Sequence, residues 1–424
     1  MQPEIIPRPE HAVSRADISE YALKVLYRLK KAGFAAYLVG GGVRDLLLRH
    51  QPKDFDVATD ATPEDVKKLF RNCRLIGRRF RLAHVHFGRD IIEVATFRAQ
   101  HREGDEDGVM TDGMILRDNV FGTLEEDAFR RDFTVNALYY NIADFSIVDY
   151  TGGMADLAQQ RLRMIGDPDV RIQEDPVRLL RALRFAAKLD FSLDPELEGM
   201  FARHGERLLD VPPARLFEEM LKLFMSGHAV QTFELLLKYG LFQFLFPQTA
   251  ELLQTDDGYT RRFIEAGLAN TDRRIQDEKP VTPFFLFGVL LWPPVQQQAA
   301  LLREGDETEL QALHQAGRDV VQQQTRRITI PKRFTLPMKE TWQMQARLVR
   351  RQGKRAVRLL EQSRFRAGYD FLLLRKQAGE PLDELCEWWT EFQEANEKLQ
   401  REMLQAVSPG SKGRRGRRRR KKRI

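Results

Sequence analysis

Asp54 and Asp56 stand two residues apart in the stretch Lys53-Asp54-Phe55-Asp56-Val57. In an extended chain, residues two apart project from the same face, so this spacing predicts two neighbouring carboxylates with Phe55 and Val57 turned to the other side. Two such carboxylates repel, and a divalent cation relieves the repulsion. Magnesium suits them because it takes oxygen ligands and bridges protein carboxylates to nucleotide phosphates, and a two-metal pair sits about 3.5–4 Å apart. A solvated edge strand or a turn is the other reading of an Asp-x-Asp.

Upstream, the apolar run Phe34–Val39 ends in Gly40, Gly41 and Gly42, and a helix-like stretch follows. A strand that runs through glycine into a helix lets backbone N–H groups approach a phosphate. Gly40 and Gly41, with Gly42, fit that role, and Arg44 adds a cation for the same anion. A phosphate loop followed closely by an acid pair implies phosphoryl or nucleotidyl transfer. Glu93, inside the apolar "DIIEVATF", supplies a third acid that is costly when ionised unless metal-bound or paired with an arginine of residues 78–81. In "RRDFTVNA", an extended chain would line Asp132, Thr134 and Asn136 on one face and Phe133 and Val135 on the other. Arg130 and Arg131 could meet phosphates or serve as surface charge.

The elements that must position these groups follow from periodicity. Residues 18–32 read as a helix stopped at Gly33, 34–41 as a buried strand, and 43–50 as a helix. Thr62 offers an N-cap, with Pro63 at the first helical position and Asp65 in the first turn. "LAHVHFGRDIIEVATFR" gives two strands about a turn at residues 88–90, and residues 99–114 read as a polar, glycine-rich loop. From residue 174 to 405 helical periodicity dominates, with breaks expected at Pro212-Pro213, Pro247, Pro293-Pro294 and Pro331. The expected fold class is α+β: a head with a small mixed sheet over residues 1–165, a helical neck over 166–225, a helical body over 226–405 and a disordered basic tail over 406–424.

Of the 424 residues, 42% are hydrophobic and 30% charged, and the formal charge is +7. Ten of the 68 basic residues lie between Lys412 and Arg423, which leaves 58 basic against 61 acidic elsewhere. The basic character therefore belongs to the tail. Two cysteines, Cys73 and Cys386, have no metal-ligand spacing and read as reduced thiols. No apolar leader and no uninterrupted apolar span mark the chain, and the expectation is a cytoplasmic protein.

The motifs "LVGGGVRDLLL", "KDFDVAT", "RRDFTVNALYY", "DYTGGMADL" and "EDPVRLLRALRFAAKL" resemble, in order, those of the class II nucleotidyltransferases. That family holds the bacterial poly(A) polymerases and the CCA-adding tRNA nucleotidyltransferases, and "LIGRRFRLAHVHF" resembles the segment that sets the poly(A) polymerases apart. The resemblance covers nearly the whole chain. It implies Asp54 and Asp56 as metal-binding catalytic aspartates, with Asp132 and Glu93 as further acids of the site. It implies Gly40, Gly41 and Arg44 at the triphosphate, Arg131 and Asn136 at the nucleotide, and Asp175 with Arg178 reading the incoming base. The implied reaction is addition of AMP from ATP to RNA 3′ ends with two Mg²⁺ ions, on mRNA, small RNA or tRNA, with RNA-decay machinery or an RNA chaperone as candidate partners.

Asp175 and Arg178 are three apart at a helix start, so they share a face. A carboxylate accepts from the adenine amino group and a guanidinium donates to the neighbouring ring nitrogen, but cytosine offers the same order, so the pair does not choose A over C. Asp175 before Pro176 also reads as a cap. For RNA, Arg347, Arg350, Arg351, Lys354, Arg355 and Arg358 are expected on one broad helical flank, and the tail adds salt-sensitive affinity. Trp388, Trp389 and Cys386 read as core. A CCA-adding enzyme shares the head, and a non-catalytic RNA-binding scaffold is the reading from another class, although a scaffold has no use for a repelling acid pair.

Overall fold

Leu38 and Val57 are fully buried and face each other across an antiparallel pair at the centre of the first of two compact units. The structure, a computed structural model, describes residues 2–77, 81–99, 108–111, 114–118 and 120–407. The units are Met1–Arg207 and Leu208–Ile424. Most of the basic tail and the residues 100–107 of the glycine-rich stretch lie outside the described residues, as do Arg78 and Arg79.

In the first unit the elements run β1 (Glu4–Ile6), α1 (Glu20–Lys31), β2 (Ala36–Val39), α2 (Gly41–Leu47), β3 (Asp56–Thr59), α3 (Pro63–Leu69), β4 (Cys73–Ile76), β5 (Leu82–Phe87) and β6 (Asp90–Thr96). Then come β7 (Gly108–Thr111), β8 (Met114–Asp118), α4 (Leu124–Phe129), β9 (Leu138–Asn141), β10 (Ile147–Asp149), α5 (Gly153–Ala158), α6 (Pro168–Glu174), α7 (Val177–Leu189) and α8 (Pro195–His204). Eight strands form one mixed sheet in the order β1-β10-β9-β2-β3-β6-β5-β4, with β3 and β6 parallel. Helix α1 buries Ala22, Val25, Leu26 and Leu29 in the same cluster as Leu38, Val57, Val85 and Val94. Each valine or leucine so buried stabilises the unit by about 1.5–3 kcal/mol. As the sequence predicts, the Thr62 hydroxyl accepts from Asp65 N (3.2 Å) at the start of α3, and Gly33 stops α1 at φ +92°.

Three expectations change here. The glycine-rich stretch carries an antiparallel strand pair, β7 with β8, because Val109, Thr111 and Ile115 are β-branched residues that suit a strand. "RRDFTVNA" is not extended: Thr134–Asn136 is a 3-10 turn, so Asp132, Thr134 and Asn136 point to different partners. Strand β3 starts at Asp56, which leaves Asp54 on the loop before it, although Phe55 and Val57 do turn into the core.

Among its described residues the second unit is all helix. Its longest helix, Pro283–Arg303, runs straight through Pro293 and Pro294 and is not broken there. Pro294 has no N–H for the carbonyl of Leu290, and the buried Thr249 hydroxyl donates to that carbonyl instead (2.8 Å). This helix is long and apolar enough to cross a membrane, yet Leu286–Val295 is buried inside the protein, as a core helix is. The basic stretch 347–358 is two elements rather than one flank: a helix ends at Leu348, Gly353 takes φ +60°, and another spans Lys354–Leu360. Cys386 and Trp389 are core, with Trp388 packed against them.

Candidate active site

The sheet register builds the site. Val39, the last residue of β2, pairs with Asp56, and Asp56 pairs with Glu93 on the parallel β6. The glycine turn that follows Val39 thus emerges beside Asp56, while Glu93 lies on the other side. Gly40 sits at φ +72° and ψ −142°, a conformation suited to glycine. A Cβ on Gly42 would come to 3.2 Å from the backbone oxygen of Asp54, so the turn and the Asp54 loop touch with nothing between them. Helix α2 behind the turn has only seven residues.

Burial pushes the Asp56 carboxyl up to about 6, with Glu93 and Asp54 adding to the rise and Arg131 opposing it. The three acids therefore form one repelling group with Arg131 as the nearby cation. His84, across from Glu93 on β5, is the partner of Glu93 (3.3 Å), whereas Arg81, the described member of the expected arginine set, pairs with Glu64 (2.9 Å). Among the described residues no three acid, histidine or cysteine side chains converge to enclose a metal ion. Magnesium does not need such a cage: it binds through one or two carboxylates and fills its shell with phosphate oxygens and water. An all-oxygen donor set with a strained, half-buried carboxylate fits that ion.

Arg131 is held from behind. Its Nε and Nη2 donate to Asp127 Oδ2 (3.2 and 2.9 Å), and Nε also meets the Tyr139 hydroxyl (3.0 Å), which itself donates to Asp127 Oδ2 (2.7 Å). Nη1 is left pointing at the turn, 3.6 Å from where a Cβ on Gly40 would lie. Burial works to lower the Arg131 guanidinium, but Tyr139 and Asp127 outweigh it and the charge is fixed. Arg44 lies under the turn, 2% exposed, with Nε and Nη2 on Asp45 Oδ1 (2.8 and 2.5 Å) and Nη1 on Asn136 Oδ1 (2.5 Å). Lys188 of α7 reaches the other Asp45 oxygen (3.2 Å).

Asp132 stands apart from the acid group. Arg178 Nε (3.0 Å) and Arg181 Nη2 (2.7 Å), both on α7, hold its two oxygens. Burial would raise the Asp132 carboxyl, yet Arg181 and Arg178 outweigh it and hold it below the ordinary range. Arg178 is itself buried and also donates to Glu174 Oε2 (2.8 Å) and to the carbonyl of Arg171. Asp175, half-buried, accepts from Val177 N (3.2 Å), the first residue of α7, from the position before the N-cap Pro176. Arg171 ties α6 to the same segment through the carbonyls of Arg130 (2.7 Å) and Arg131 (3.1 Å).

Sequence reasoning missed Asp127, Tyr139, His84, Arg171 and Arg181. Asp127 was within reach, since it lies four residues before Arg131, the spacing of a helical ion pair, where α4 ends. His84 needed the strand register, and Tyr139 needed the fold.

A nucleotidyltransferase head is what this sheet and its acid rim define. Family models match at residues 36–163 (poly A polymerase head domain), 190–253 (probable RNA and SrmB-binding site of polymerase A) and 305–423 (polymerase A arginine-rich C-terminus). Poly(A) polymerase I from Salmonella typhimurium is 52% identical over 411 residues, 95% of this chain and 88% of that protein. A CCA-adding enzyme from Lactobacillus helveticus is 38% identical over 240 residues, 56% of this chain and 58% of that one. The solved CCA-adding enzyme of Bacillus stearothermophilus in complex with CTP matches with a TM-score of 0.52 and 25% identity, covering 87% of this chain and 80% of that one. The chain belongs to the poly(A) polymerase I family.

Proposed function

We infer that this protein is a template-independent poly(A) polymerase that adds AMP from ATP to RNA 3′ ends and releases pyrophosphate. The identity to poly(A) polymerase I across nearly the whole chain supports it. The observation that carries the chemistry is Asp56 held between Glu93 and the glycine turn with its carboxyl pushed up to about 6. A site that spends stability on repelling acids is one built to hold cations against an anionic substrate.

In the reaction the RNA 3′-oxygen forms a bond to the α-phosphorus, the bond from that phosphorus to the bridging oxygen breaks, and pyrophosphate leaves as the hydroxyl proton is lost. Asp54 and Asp56 are the residues to hold magnesium, which when bound supplies Lewis acidity to the hydroxyl and the leaving group. The Gly40–Gly41 backbone and the Nη1 of Arg131 receive the triphosphate. Arg44 supports the turn from below through Asp45 and Asn136. Asp132 fixes Arg178, and with it the α7 start from which Asp175 and Arg178 meet the base edge. These groups position the substrate and stabilise charge rather than form covalent bonds. The match to a probable RNA and SrmB-binding site supports RNA as the substrate; the reading extends to a cytoplasmic role in RNA decay, with decay machinery or an RNA chaperone as partner.

The test is incubation with Mg²⁺, a generic RNA ending in a 3′-hydroxyl, and each nucleoside triphosphate alone. Long tails from ATP only are expected; a single C-C-A addition confined to tRNA overturns the assignment in favour of the CCA-adding reading. Asp54→Ala and Asp56→Ala should each abolish addition and leave RNA binding intact, and a variant that still adds nucleotide would refute the metal assignment.

A further inference from the structure

In the helical unit a cavity of about 250 Å³ opens between the helices Tyr259–Gln276 and Phe365–Gln377 and the start of Pro283–Arg303. Phe284 and Phe285 make its aromatic wall. The guanidinium of Arg364 lies over the Phe284 ring, 5.4 Å from its centre. Arg274 and Arg366 bring two more cations, and Asp370 is the one acid of the lining. Arg366 Nη2 meets Asp370 Oδ1 at 3.0 Å with its side chain 72% exposed, so that arginine bridges the cavity to solvent. Arg274 is braced through Nε and Nη2 on the carbonyl of Pro280 (3.1 and 2.9 Å).

The chemistry of these walls selects a ligand. Three guanidinia outnumber the two carboxylates that meet them, Asp370 on Arg366 and Glu340 on Arg364 (3.1 Å), so the walls favour an anion, and arginine matches phosphate oxygens bidentately. A flat guanidinium laid over a ring, as Arg364 lies over Phe284, offers its outer face as a surface on which an unpaired base stacks. The half-buried Asp370 carboxylate, with Oδ1 on Arg366, has its second oxygen to accept from an exocyclic amino group. The volume lies below the roughly 300–1,000 Å³ of sites that enclose drug-sized ligands, which suits one base and its flanking phosphate. Burial raises the Asp370 carboxyl above its ordinary range, as expected where water is scarce.

We propose that this cavity is a subsite for one nucleotide of single-stranded RNA, its base stacked at Phe284 and Arg364 with its amino group on Asp370, and its phosphate on Arg274 and Arg366. The proposal rests on RNA as the substrate. It adds a preference: adenine, cytosine and guanine carry the amino group and uracil does not. The adenylates that the enzyme itself adds therefore fit the subsite.

A 3′-blocked oligo(A) carrying one 8-azidoadenosine, crosslinked to the full chain and mapped by peptide, tests the placement. Equilibrium binding of oligo(A) and oligo(U) tests the preference. Crosslinks should fall within residues 280–286 and 363–370. Phe284→Leu and Arg364→Gln should each weaken oligo(A) binding about tenfold, the scale of one lost base stack, and shrink the oligo(A) to oligo(U) ratio. AMP addition at saturating RNA should hold in both. Crosslinks elsewhere, or wild-type oligo(A) affinity in both variants, overturn the subsite. Loss of the crosslink when free AMP, but not unlabelled oligo(A), is present before irradiation overturns RNA as its source. A wild-type protein that crosslinks here yet incorporates no AMP refutes the polymerase reading and leaves the subsite standing. Active variants with unchanged oligo(A) affinity do the reverse.

Discussion

Replacing Asp56 by Asn should stabilise the protein while removing its activity. The Asp56 carboxyl ordinarily titrates at 3.8 and is pushed up to about 6 by burial, Glu93 and Asp54. At about 1.36 kcal/mol per unit, ionising it in the folded state costs about 3 kcal/mol. Water reaching the half-buried carboxylate screens part of this, leaving on the order of 2 kcal/mol. Below pH ~4 the group is protonated in both folded and unfolded chains, so the wild type carries no penalty there. As the pH rises through 4 to about 6 the unfolded chain ionises freely and the folded one resists, so stability is lost across that window and the loss is complete above it. Thermal melts with EDTA at a series of pH values, wild type against Asp56→Asn, read the effect directly. The variant should match the wild type near pH 4 and melt roughly 4–8 °C higher at pH 7.5, given roughly 2–4 °C per kcal/mol for a unit of this size. Magnesium should then raise the wild-type midpoint more than the variant's. A variant that is equal or less stable at pH 7.5, or a difference that does not change with pH, refutes the strained acid group.

Gly42→Ala sets a Cβ 3.2 Å from the Asp54 carbonyl oxygen and shifts the Asp54 loop, so steady-state kinetics should show kcat lowered at least tenfold while circular dichroism melts change by less than about 1 kcal/mol. Asp127→Asn removes the charge that aims Arg131; it should raise the KM for ATP and cost about 3 kcal/mol in urea unfolding, as breaking a buried ion pair does. Thr249→Val leaves the Leu290 carbonyl without its donor beside Pro294, and should cost about 1–3 kcal/mol in the helical unit with AMP addition unchanged.

What the sequence made legible was the part of the site that is local along the chain. A strand ending in glycine, an acid pair beginning the next strand and the Thr62-Pro63 cap are each written within a few residues, and the described structure has the turn, the core-facing Phe55 and Val57, and the cap as read. Asp54 slipped off β3 because strand length depends on where pairing begins, and the pairing partner Val39 is set by the fold. The Pro293-Pro294 break failed for the same kind of reason. The hydrogen bond those residues cannot make is replaced by Thr249, which is distant in sequence and invisible to any local rule.

Charge partners were the least legible, and their distribution explains how the site works. Arg44, Arg131 and Arg178 each read as a cation waiting for a phosphate or a base, yet each is also bound by an acid: Asp45, Asp127 and Asp132. A guanidinium has five donors in a planar fork, so one edge can be anchored while another faces outward. Arg131 shows the division most clearly, with Nε and Nη2 on Asp127 and Nη1 turned to Gly40. The anchors carry the cost of fixing long side chains before substrate arrives, which is what makes fixed charges effective at a developing negative charge. Of the acids at the other rim, Glu93 meets only the His84 ring (3.3 Å) and no guanidinium. Asp56 and Glu93 are adjacent in register and mutually repelling, so the attraction they offer is reserved for a cation that comes with the substrate.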